Sequence, residues 1–81
     1  MKLKQDISIG ENMKKLRLKN KLSQEEVAAL LQVRGLAVSR EMISQMELGR
    51  YSVRISVLMA LCEIYHVKVE EFFEGLLPDN N

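Results

Sequence analysis

One cysteine, one proline, one histidine, no tryptophan, two tyrosines and two phenylalanines leave this chain poor in the residues that small proteins use for chemistry. A lone Cys62 excludes an intramolecular disulfide, a four-ligand zinc cluster and a CxxC pair, and it fits a reducing compartment. HExxH, GxSxG, a glycine-rich phosphate loop and paired catalytic carboxylates are all missing. Eighty-one residues also bury only about 60–65% of their unfolded surface, too little to support a large catalytic cleft. The reading is therefore no enzyme, no cofactor and no metal site. No uncharged apolar run approaches the about 18 residues of a membrane span, and the charged start Met1-Lys2-Leu3-Lys4 precedes no signal-like stretch. A cytoplasmic protein with no membrane association is expected.

What the chain does have is a polarised charge. Lys and Arg total 12 against 11 Asp and Glu, a net of +1, but the two signs are segregated. Residues 1–54 carry eleven basic and six acidic side chains, net +5, and residues 55–81 carry one basic and five acidic, net −4. A basic half can attract a polyanion while an acidic half limits non-specific adhesion, because steering depends on local potential.

No repeat, low-complexity tract or Pro/Ser-rich linker divides the chain, and Pro78 lies near its end. One domain over 1–81 is expected, with a folded core of about 7–77 and short flexible ends. Good helix formers between breaks at Gly10, Asn20-Lys21, Gly35, Gly49 and Gly75, without strand alternation, predict an all-α fold. A first helix over Ile9 to Lys19 stacks Ile9, Met13 and Leu16 on one face and lysines on the other. Ser23 followed by Glu26 forms a capping box, placing Val27, Leu30 and Leu31 on the buried side of a second helix. Ser39 caps a third, short helix with buried Ile43 and Met46, stopped by Gly49. Ile55 to Tyr65 is apolar almost all round, with only Ser56 and Glu63 polar, and reads as a spine buried on more than one side. Val69, Phe72, Phe73, Leu76 and Leu77 make a last helix and tail with more apolar surface than one face can hide, some of which would meet another subunit.

The second and third helices have the attributes of a helix-turn-helix. Ala28 and Ala29 supply the small residues where two helices cross, and Ile43 and Met46 anchor the third helix. Arg40, Glu41, Ser44 and Gln45 then face outward near a helix N-terminus, flanked by basic Arg50 and Arg54, with chemistry suited to base edges in a major groove. Cys62 and the methionines Met13, Met46 and Met59 read as core, and His66 as a helix-end residue.

Four blocks of the sequence resemble the Cro/phage-repressor (Xre-type) helix-turn-helix family: Ile9-Gly10-Glu11-Asn12-Met13-Lys14-Lys15-Leu16-Arg17, Leu22-Ser23-Gln24-Glu25-Glu26-Val27-Ala28, Ser39-Arg40-Glu41-Met42-Ile43-Ser44-Gln45-Met46-Glu47-Leu48-Gly49 and Val67-Lys68-Val69-Glu70-Glu71-Phe72-Phe73. The resemblance covers residues 7–74. Any one block is weak, but together they are specific. The resemblance implies a five-helix lambda-repressor-like fold that binds double-stranded DNA in a sequence-specific way, as a homodimer on a palindrome. It also implies that Gln24 contacts a phosphate and supports the recognition helix, that Arg40, Glu41, Ser44 and Gln45 read bases, and that Arg17 and Glu47 form a largely buried ion pair. Arg50, Arg54, Lys15 and Tyr51 are the further candidates for phosphate contacts, with Tyr51 equally able to pack over the loop after the third helix.

The chain departs from the family between the second and third helices. Leu31-Gln32-Val33-Arg34-Gly35-Leu36-Ala37-Val38-Ser39 is about five residues longer than the family's usual turn, so the second helix would stop at Gly35 with Leu36 and Val38 beneath the loop, and the extension would either tilt the recognition helix or bring Arg34 near a phosphate. Arg54 and Lys68 stand where capping residues are usual. The expected function is a transcriptional repressor. The alternative is an interaction module or antitoxin-like component that engages a protein partner through its acidic C-terminal half, a reading that Glu41 in the outward face favours.

Overall fold

A computed structural model describes residues 8–76; Leu77, the last residue of the expected core, and the expected flexible ends lie outside the described residues. The chain forms four α-helices, α1 (Gly10–Lys19), α2 (Gln24–Val33), α3 (Arg40–Glu47) and α4 (Ile55–Tyr65), followed by a 3₁₀ helix at Val69–Phe73, with no strand among the described residues. The last element is thus a tight 3₁₀ turn rather than an α-helix. Its start is held by the Glu71 carboxylate, which accepts from the Lys68 backbone N–H at 3.3 Å.

Local signals explain the boundaries. Ser23 Oγ accepts from the Glu26 N–H at 3.0 Å and Glu26 Oε1 accepts from the Ser23 N–H at 2.8 Å, completing the reciprocal cap of α2. All four α-helices end by the same device. After α1, α2, α3 and α4 the chain turns through a left-handed residue, Lys21, Gly35, Gly49 and His66 respectively, and the next N–H bonds back: Leu22 to Arg17 O, Leu36 to Leu31 O, Arg50 to Gln45 O and Val67 to Cys62 O. Residues 34–39 connect α2 to α3, and Gln32 Nε2 donates to Val38 O at 2.9 Å across that connection.

The core joins Ile9, Met13 and Leu16 of the first helical segment to Val27, Ala28 and Leu31 of α2, Val38, Ile43 and Met46, and Val57, Ala60, Leu61, Tyr65 and Phe72. Burial of such side chains stabilises by about 1.5–3 kcal/mol each. Two expectations need correction. Leu30 is exposed, because the face of α2 that meets the core is Val27, Ala28 and Leu31. Met59 is 65% exposed and Ile55 74%, so α4 is buried on one side only, through Val57, Ala60, Leu61 and Tyr65. Arg34 lies beside α4, where its Nε approaches Glu63 Oε1 at 3.5 Å and Nη1 donates to Leu30 O.

Candidate nucleic-acid interface

Ser39 Oγ accepts from the Met42 N–H at 3.1 Å, and this cap starts α3 with its first turn facing outward. Ile43, Met46 and Glu47 form its buried side, while Arg40 and Glu41 are exposed and Ser44 and Gln45 half-buried. The outward strip therefore combines a cation, a carboxylate, a hydroxyl and an amide at one helix end. Arg40 Nη2 lies 3.7 Å from Glu41 Oε2, an exposed pair that lowers the local repulsion Glu41 would exert on a phosphate.

What holds α3 is a polar knot. Arg17 and Glu47 are 7% and 8% exposed, and the guanidinium grips the carboxylate with two bonds, Nε to Oε2 at 2.7 Å and Nη2 to Oε1 at 3.1 Å. Arg17 Nη1 also donates to Leu22 O at 2.9 Å, and Gln24 Nε2 donates to Glu47 Oε1 at 3.0 Å. One carboxylate thus ties α1, the start of α2 and the end of α3. The bond to Glu47 raises the pKa of Arg17 above its ordinary value despite burial. Gln24 is turned inward onto the knot, which leaves its second amide hydrogen and its backbone N–H for any external group.

Gly10 brings α1 against the end of α3. A Cβ there would lie 2.6 Å from Glu47 O and would also strike Met46 O, so only glycine fits. Asn12 Nδ2 donates to Phe72 O at 2.8 Å and Glu74 O at 3.0 Å, joining α1 to the 3₁₀ helix. Tyr65 stacks on Phe72, with ring centroids 6.3 Å apart. Its hydroxyl is buried and has no partner among the described residues, and burial, with Glu47 adding to it, pushes its pKa well up.

Arg50, Tyr51 and Arg54 are exposed and line one shallow cavity of about 330 Å³ with Met42 and Met46 of α3. Ser52 and Ser56 share it. Arg54 precedes α4 without capping it, so the first amides of α4 have no side-chain acceptor there. The sequence reading missed these hydroxyls and the Gln32 bond, although Arg54 at a cap position was the available signal for open amides. Lys15, with Lys14 and Lys19, stands on the exposed face of α1 and is not part of that cavity. Among the described residues no group of three or more His, Cys, Asp or Glu side chains could hold a metal ion, and no helix is long and apolar enough to cross a membrane.

Two short helices packed against each other, with Val27, Ala28 and Leu31 on the buried side of the first and Ile43 and Met46 on that of the second, which presents polar side chains outward beside two arginines, define a helix-turn-helix DNA-binding domain. A family model described as helix-turn-helix matches residues 13–72, well over half of the chain, and the protein belongs to this Cro/phage-repressor (Xre-type) family of DNA-binding regulators. No curated protein matches the chain significantly.

Proposed function

We propose that the protein is a transcriptional repressor of lambda-repressor-like architecture that binds a palindromic operator as a homodimer, one α3 in each of two major grooves about 34 Å apart. The 3₁₀ helix counts as the fifth helix of that fold, and residues 34–39 as its lengthened connection. The observation that carries the reading is the outward strip of α3 beside the arginine-lined cavity, held by the buried knot behind it. Arg40 and Gln45 read base edges, with Glu41 and Ser44 completing the surface. Arg50 and Tyr51 contact phosphates together with the open amides of α4, which Arg54 leaves uncapped; Gln24 supports α3 and offers its backbone N–H, and Lys15 adds a peripheral contact. The salt dependence of binding comes from these phosphate contacts, and the specificity from α3.

Selection of bound duplexes from a random DNA pool at near-physiological salt, repeated with Arg40→Ala/Gln45→Ala, tests this. An inverted repeat with half-sites one helical turn apart, lost in the double variant, is expected. Absence of any enrichment with the unmodified protein overturns it.

A further inference from the structure

Along α4, Ile55 and Met59 fall at i and i+4 on the side opposite the core, and the stripe runs on to Cys62 at i+7, which is half-buried and packs partly against the core. Ile55 is 74% and Met59 65% exposed, and Val69, 44% exposed, lines the groove beside Met59 and Cys62. A helix that is apolar nearly all round is normally covered all round, and here Ile55 and Met59 face solvent. The ends of the same stripe carry opposite charges: Arg54 precedes its first residue and Glu63 follows its last. Arg34 stands beside Glu63, on the same side as the groove.

We propose that this stripe is the face by which a second copy of the chain docks, the two α4 helices packing antiparallel across a two-fold axis at Met59. The inference rests on the dimeric reading above and assigns its surface. An antiparallel arrangement about Met59 sets Ile55 against the partner's Glu63 position and brings Arg54 close to that carboxylate. Each copy's basic end therefore meets the other's acidic end, and the helix dipoles oppose. A parallel pairing would instead oppose Arg54 to Arg54 and Glu63 to Glu63. An eleven-residue helix is about 16 Å long, which offers less than the about 1,600 Å² of a typical stable interface. Association in free solution is accordingly weak and concentration-dependent, and two half-sites on one duplex strengthen it by holding both copies together.

Sedimentation of the DNA-free protein across a range of concentrations tests the proposal. The unmodified chain is expected to pass from monomer to dimer, while Met59→Glu stays monomeric throughout with an unchanged helical spectrum and melt. Ile55→Glu gives an independent second variant, since a carboxylate in the first turn of α4 suits the helix. Glu63→Arg weakens self-association, and Arg54→Glu/Glu63→Arg restores it. A dimer that survives Met59→Glu and Ile55→Glu, or a chain that remains monomeric at every concentration, overturns the assignment. Failure of the DNA-binding reading is separate: it would show as no duplex enrichment by the unmodified protein, whatever its association state.

Discussion

Glu47→Ala leaves Arg17 in its buried place with only Leu22 O as partner and also strips Gln24 of its acceptor. The side chains of Arg17 and Glu47 are 8% and 3% exposed, so water cannot replace the lost carboxylate without opening the junction of α1 and α3. Breaking a buried pair from one side costs about 3–5 kcal/mol, and the lost Gln24 bond adds about 1 kcal/mol. A domain of this size has total stability of about 4–12 kcal/mol. Glu47→Ala is therefore expected to be largely unfolded or to melt about 15–30 °C lower. Arg17→Met should be similarly damaging, because it strands the Glu47 carboxylate. Arg17→Met/Glu47→Leu removes both charges and fills the space with apolar atoms, and it should lie within about 2 kcal/mol of the unmodified protein. Urea melts followed by circular dichroism give all corners of this cycle. Single variants costing under about 1 kcal/mol would mean that the pair behaves as a solvated surface bridge, and the account of how α3 is held would fail.

Gly10→Ala gains helix propensity but drives a methyl into the carbonyls of Met46 and Glu47, and a net loss of about 1–3 kcal/mol is expected in the same melts. Unchanged stability would show that α1 can back away from α3 at no cost. Tyr65→Phe should be neutral or stabilising by about 1 kcal/mol, since it removes a buried hydroxyl without a partner; a clear loss would reveal a bond to that oxygen. Arg40→Ala is expected to lose about 1–3 kcal/mol of operator affinity and to relax one base position. Arg50→Ala should instead weaken every sequence alike and flatten the salt slope by about one charge. Equal losses on all sequences for both variants would refute the division of roles.

The helix boundaries were legible because their signals are local. Ser23 with Glu26, Ser39 and Gly49 each act through bonds within a few residues, and each does so here. Met59 was misread for a different reason. Where a helix is apolar nearly all round, periodicity names no buried face, and only the packing of α2 and the 3₁₀ helix against α4 decides that Ile55 and Met59 look outward. The approach of Arg34 to Glu63 depends on where a distant segment arrives, and the bond from Gln32 to Val38 on the path of an irregular connection, and neither is encoded in helical spacing. In the candidate site, the outward placement of Arg40 and Glu41 follows from helical period, whereas the gathering of Arg50, Tyr51, Arg54, Ser52 and Ser56 around one cavity is a product of tertiary structure.

The two oxygens of Glu47 are shared by three donors from two other parts of the chain. An eight-residue helix alone in water would fluctuate, and a duplex would have to order it on contact at a cost in conformational entropy. Here that ordering is complete before any ligand arrives. Association then requires no folding step in the protein, so encounter should follow electrostatic steering directly, and any heat-capacity change beyond that of the contact surface would have to come from the DNA.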